Sequence, residues 1–177
     1  MKKLITILAI SLTIALGLSL FQEFRHSHKY VEVDQATRQT YINMLNSEVR
    51  NINYTESRQE LRALLEAEMD FHFYIYHEAS VKNGGYSVSI IRLIVMDKAI
   101  DIEQYCILLC HEMCHIKYFT GNEIYAHFIT FKTLYESENA TLRRVGTWFG
   151  IYVLNGNYST GYDCSAMIVD YLKTVSL

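Results

Sequence analysis

The sequence contains no proline, which removes the residue that most often makes rigid turns, so we expect a mostly helical chain. It also lacks a basic excess, because 16 Lys and Arg residues against 19 Asp and Glu residues give a net charge of −3. We therefore expect no nucleic-acid partner. No internal repeat or low-complexity tract interrupts the 177 residues, a length typical of one domain with a short appendage.

The N-terminal segment differs from the rest of the chain by its uninterrupted apolar run. Lys2 and Lys3 precede 18 uncharged residues, Leu4–Phe21, which is just long enough to span a bilayer. The sequence predicts an uncleaved signal anchor over residues 1–21, a linker over 22–33 and one folded domain over 34–177, outside the cytoplasm. A cleaved signal, cut after Ser19, is the alternative and predicts a secreted or periplasmic protein. A buried core helix is the third interpretation.

The remaining sequence predicts helices around a small sheet. Phe71, Phe73 and Ile75 alternate with His72, Tyr74 and Tyr76, and this period of two predicts a strand. A turn at 82–85 and a second strand over 87–96 complete an antiparallel hairpin. Apolar spacing predicts helices over 34–50, from Thr55 onward, from Asp101 onward, and over 122–137, 139–153 and 163–174. The predicted fold class is α+β, mostly helical, with a small antiparallel β-hairpin or sheet before the helix that begins at Asp101.

That helix carries the most specific motif of the chain, His111-Glu112-Met113-Cys114-His115, which has the form H-E-x-x-H. Residues four apart lie on one helix face, so His111 and His115 can bind the same metal ion. Glu112 is turned about 100° from His111, where it can reach a metal-bound water as a base. Asp101 is a suitable N-cap for this helix. The motif predicts a zinc site.

The chain has four cysteines. Cys106, Cys110 and Cys114 are spaced by four on the same predicted helix as the motif, and Cys164 lies near the C-terminus. Neighbours at that spacing on one helix have poor disulfide geometry. Cys164 can bridge to one of them in an oxidising compartment. We favour small buried residues that pack the helix, and the absence of a C-x-x-C pair argues against a second metal site.

A catalytic zinc ion needs a third protein ligand, and Glu123 is the best candidate. A tight turn at Gly121 can fold the next helix back, bringing its first turn close to His115. His127, one turn further on the same face, is the rival ligand or a residue that orients a ligand. His72 and His77 lie in or beside the predicted strand, where a surface or packing role is expected.

With this arrangement the chain resembles the gluzincin metallopeptidases, in which H-E-x-x-H supplies two zinc ligands and the base, and a glutamate on the next helix supplies the third ligand. The resemblance covers roughly residues 57–137, and its specific part is the H-E-x-x-H motif. Glu123 and Ala126 match a family run of the form E-x-x-A-D, whereas His127 replaces the acid. Glu123 follows His115 by eight residues, a shorter spacing than is usual in the family.

The resemblance implies a membrane-anchored or exported zinc metallopeptidase that hydrolyses a protein or peptide substrate. Zn²⁺ would be held by His111, His115 and Glu123, and Glu112 would pass a proton from the zinc-bound water to the leaving amine. An edge strand of the hairpin would bind the extended substrate. Tyr158 and Tyr162 are possible oxyanion donors. The alternatives are a non-proteolytic zinc amide hydrolase, and an anchored helical partner-binding protein without catalytic activity.

Overall fold

Side-chain caps mark where several helices of the chain begin. The computed structural model describes residues 31–48, 56–81, 84–159 and 161–175. Ser57 and Glu60 form a reciprocal capping box, and Asp101, Asn122 and Asn139 each accept a backbone hydrogen bond from the first turn that follows. Within these ranges there are six α-helices: α1 Gln35–Glu48, α2 Arg58–Glu68, α3 Ile102–Tyr118, α4 Glu123–Glu136, α5 Ala140–Leu154 and α6 Ser165–Val175. The predicted fold class, mostly helical α+β, is confirmed.

The strands pair differently from the predicted hairpin. The sheet contains β1 Ile75–Ala79, β2 Gly85–Val88 and β3 Leu93–Asp97, in the order β1-β3-β2. β2 runs antiparallel to β3, whereas β1 runs parallel to β3 on its other side. The predicted antiparallel pairing of the first strand is therefore wrong, and the sheet is mixed.

A chain reversal inside the predicted second strand explains this difference. A 3₁₀ turn at Ser89–Ile91 is followed by Arg92, whose φ of 50° lies in the left-handed region. The reversal divides residues 87–96 between β2 and β3, which form the antiparallel pair themselves. The central position beside β2 is thus occupied by β3, and β1 joins the opposite edge of β3.

Helix α3 lies at the centre of the domain and is buried along most of its length. Helices α2, α4 and α5 and strands β2 and β3 pack against it, whereas α1 and α6 pack on α5. Helix α4 also packs closely on α5. Gly146 of α5 permits that approach, because a Cβ atom there would lie 2.4 Å from the backbone nitrogen of Tyr135. A helix buried on nearly all sides is held rigidly by its neighbours, which suits a helix that carries a site.

The predicted span at residues 4–21 lies outside the described residues, as does most of the predicted linker. Among the residues that the structure does describe, none of the helices has the length and apolar character needed to cross a membrane.

Candidate metal centre

Helix α3 places the two motif histidines side by side. The Asp101 side chain accepts a hydrogen bond from the Gln104 backbone and fixes the start of the helix. One turn separates His111 from His115, and their Nε2 atoms lie 2.9 Å apart. His111 is buried, with 5% of its surface exposed. The spacing of the motif thus produces two adjacent nitrogen donors on one face of the helix, as predicted.

The turn after α3 brings Glu123 to these histidines. Phe119 ends α3 in the left-handed conformation, with a φ of 52°, and Asn122 caps α4 through its side chain. Glu123, the first residue of α4, lies with Oε2 3.1 Å from His111 Nε2 and Oε1 3.4 Å from His115 Nε2. Because the reversal is so sharp, eight residues of separation suffice to bring this carboxylate to both imidazoles.

Contacts outside the cluster orient His115. Its Nδ1 lies 2.6 Å from the Thr120 carbonyl oxygen, and a carbonyl can only accept, so Nδ1 is the protonated donor. In the neutral ring this leaves the lone pair of Nε2 directed at the cluster, the arrangement common for metal-binding histidines. His111 Nδ1, by contrast, is buried without a hydrogen-bond partner in the described structure.

The three side chains are electrostatically coupled. Burial alone opposes the charged form of His115, but hydrogen bonds to Glu123 and to the Thr120 carbonyl raise its pKa to about 9. Burial likewise opposes the charged form of Glu123, yet hydrogen bonds from His111 and His115 hold the pKa of its carboxyl well below the usual value. The cluster therefore favours a carboxylate facing positive charge, which a bound cation would also supply.

His111, His115 and Glu123 form a group that could hold a metal ion. One ligand atom from each residue lies within 4.8 Å of the other two. Two nitrogens at tetrahedral positions on zinc are separated by about 3.3 Å, given Zn–N distances of about 2.0–2.1 Å. The observed 2.9 Å between the Nε2 atoms differs by an amount that small rotations of the rings can supply. The donors present thus fit a small divalent ion.

The cluster lies in a cleft of about 800 Å³, which has two unlike walls. The helix wall consists of His111, Glu112 and His115 of α3 and Glu123 of α4, and the Glu112 side chain is buried with 6% of its surface exposed. Strand β2 lies along this cleft. Tyr158 and Tyr162, in the loop between α5 and α6, also line it and form the tyrosine wall. Glu112 and the two tyrosines predicted as site residues therefore share one cavity with the three candidate ligands.

His127 lies beside the cluster without joining it. Its Nδ1 donates to the Glu123 carbonyl at 2.8 Å, and its ring centroid lies 4.2 Å from that of His111. Burial, reinforced by the charge of nearby His111, lowers the pKa of His127 to about 3. The structure thus groups the carboxylate of Glu123, and not the imidazole of its rival, with the two motif histidines.

The tyrosine wall is fixed by contacts that the sequence did not reveal. The Tyr158 and Tyr162 rings meet the His127 ring with centroids 4.9 and 5.7 Å apart. Their loop is held by Arg38 of α1, which forms a 2.9 Å ion pair with Asp163 and donates to the last carbonyls of α5. A single arginine in an amphipathic helix carries no sequence signal for such a role.

The remaining histidines and the cysteines lie outside this group. His72 is 3.6 Å from Glu66, and His77 is an exposed residue of β1. All four cysteines are buried free thiols, in agreement with the packing interpretation and not with a disulfide to Cys164.

Comparison of the chain with family models, with curated proteins and with solved structures found no match in any of the three. The resemblance to gluzincins therefore depends on the motif and its surroundings alone.

Proposed function

We propose that this protein is a zinc metallopeptidase with Glu112 as its general base. The observation that carries the proposal is the meeting of His111, His115 and Glu123 in a cleft beside an open sheet edge. Two histidines and a glutamate form a donor set that catalytic zinc sites use, with one position left for water. When bound there, zinc polarises a carbonyl group and makes water more acidic.

The surroundings of Glu112 support its role as the general base. It neighbours His111 on α3 but is turned about 100° around the helix, so its carboxylate need not be a ligand. It lines the same cleft and is largely buried, and it can accept a proton from the attacking water and deliver it to the leaving amine. Tyr158 and Tyr162, which line the same cleft, are the candidate donors to the developing oxyanion.

Strand β2 supports a peptide as the substrate. Among the residues that the structure describes, it is an edge strand that pairs with β3 on one side only, and its residues line the cleft. The backbone groups on the free side of such a strand can bind an extended chain by strand addition. This binding mode suits a peptide better than a small amide, so we favour peptide hydrolysis over the alternative amide hydrolase.

The test combines zinc content with hydrolysis by the purified full chain. We expect about one zinc per chain and cleavage of unfolded polypeptide. Glu112→Gln should keep the zinc but lower the cleavage rate at least a hundredfold, because general-base catalysis typically contributes about 10²–10⁴. Glu103→Gln, in the first turn of the same helix, is the matched control and should cleave normally. A folded chain without affinity for zinc, or full activity in Glu112→Gln, would contradict the proposal.

We also propose that residues 4–21 anchor the protein in a membrane with its catalytic domain outside the cytoplasm. The uncharged run of 18 residues behind Lys2 and Lys3 supports this. The full chain should remain in the membrane fraction after alkaline extraction. Protease added to cells whose outer envelope has been permeabilised, with the cytoplasmic membrane intact, should digest the catalytic domain. Release into the alkaline supernatant would contradict the anchor.

A further inference from the structure

The two faces of β2 have different surroundings. A Cβ atom at Gly85 would lie 3.1 Å from Met96 Sδ and 3.4 Å from Leu108 Cδ2, so Gly85 faces α3. Successive side chains of a strand project to opposite faces. Tyr86 and Val88 therefore project from the face turned away from α3, where 50% and 38% of their surfaces are exposed. This outer face of β2 carries two exposed apolar side chains, two residues apart.

The hydrogen-bond pattern of the sheet shows which backbone groups are directed to the open edge. The Asp97 backbone nitrogen donates to the Gly84 carbonyl at 2.6 Å, and Tyr86 is opposite Val95 in the same ladder. In an antiparallel pair, alternate residues direct both backbone groups to the partner strand. Those of Gly85 and Ser87 consequently face away from β3. A chain added at this edge would be held at these two residues.

A chain added there has its own alternating side chains, and every second one stands beside Tyr86 or Val88. Such cross-strand neighbours have Cβ atoms about 4.5–5.5 Å apart and interact directly. We infer that the cleft selects extended polypeptide segments with apolar side chains at two positions two residues apart, packed against Tyr86 and Val88. This inference rests on the proposed peptidase function and names its substrate class. Apart from the metal cluster, Glu112 and His127, the described residues that line the cleft are uncharged.

The test measures cleavage sites in a library of unstructured peptides, using the zinc-loaded full chain and Glu112→Gln as the background. We expect cleavage sites with apolar residues enriched at two alternating positions. Val88→Lys should lower kcat/KM for such peptides about tenfold and favour peptides with Asp or Glu at the facing position. Val88→Thr keeps the β-branched shape and serves as a second variant, with a smaller loss, if Val88→Lys does not fold.

Ile75→Lys provides the matched control. Ile75 is in register with Leu93, as is Val88, so both lie on the same face of the sheet at opposite edges. It is 41% exposed, close to the value for Val88, but it does not line the cleft. Its replacement should leave both kcat/KM and the preferred sequence unchanged.

The outcomes separate this inference from the function on which it rests. Alternating apolar sites that respond to Val88→Lys and not to Ile75→Lys support it. Glu112-dependent cleavage without alternating apolar residues, or equal effects of the two lysine variants, overturns the inference and leaves the peptidase proposal intact. Absence of Glu112-dependent cleavage overturns both.

Discussion

The two walls of the cleft are held in opposite ways. On the helix wall, His111, His115 and Glu123 fall within 13 residues of sequence and are positioned by local contacts, among them the Asn122 cap and the Thr120 carbonyl. On the tyrosine wall, Tyr158 and Tyr162 lie in a loop whose position depends on an ion pair between residues 125 apart in sequence. One wall is made by local structure and the other by tertiary structure.

This difference indicates how the site can fail. Loss of the long-range Arg38–Asp163 ion pair should loosen the tyrosine wall and destabilise the whole domain. The arrangement of the candidate metal ligands should remain unchanged. Loss of a local contact near Glu123 should affect metal binding before it affects the rest of the fold.

The largest expected effect is the loss of stability when the Arg38–Asp163 ion pair, which holds the tyrosine wall, is broken. Arg38→Met leaves Asp163, whose side chain is only 5% exposed, without its cationic partner. Removing one member of a buried ion pair typically costs about 3–5 kcal/mol. We expect the free energy of unfolding, measured by urea denaturation, to fall by about that amount. Zinc affinity of the folded protein should change less than about threefold, because the Arg38–Asp163 pair contains none of the candidate ligands.

Lys173→Met is the control for Arg38→Met. It breaks the Lys173–Asp170 pair of α6, in which both side chains are more than half exposed. Water and salt screen exposed pairs, so little stability should be lost. Equal effects of the two variants would show that Arg38 is not a tertiary clamp, and a large loss of zinc affinity in Arg38→Met would show that the two walls are not independent.

The same division explains what could be predicted from the sequence. The N-cap of the motif helix at Asp101 and the shared face of the motif histidines follow from local rules, and the structure has both. The approach of Glu123 to the histidines depends on a single turn. The sequence could therefore predict that approach, but the distances come only from the structure.

Features that depend on tertiary pairing could not be predicted in this way. Alternating residues identify a strand but not its partner, and the parallel pairing of β1 with β3 was missed for that reason. The left-handed Arg92 carried no turn signal, because glycine and asparagine are the residues expected there. The carbonyl of Thr120 and the clamp by Arg38 were also missed, since neither has a local sequence signature.

The next effect in size tests the third ligand on the helix wall. We expect Glu123→Ala to weaken zinc binding at least about a hundredfold, more than the 10–100-fold that outer contacts of a metal site usually supply. His127→Ala is the matched variant one turn further along α4 and should weaken binding less than about tenfold. Competition with a chromophoric chelator measures both. The reverse order of effects would make His127 the ligand and Glu123 its support.

The smallest expected effect separates local positioning from general stability. Asn122→Ala removes the cap of α4, and Asn139→Ala removes the equivalent cap of α5. Each should lower the free energy of unfolding by about 1 kcal/mol, because each removes one N-cap hydrogen-bond acceptor. Only Asn122→Ala should also weaken zinc binding, by a few-fold, since Glu123 is the residue directly after that cap. If both variants bind zinc as tightly as the unaltered chain, Glu123 is held by the packing of α4 against α5, and the helix wall depends on tertiary contacts as well.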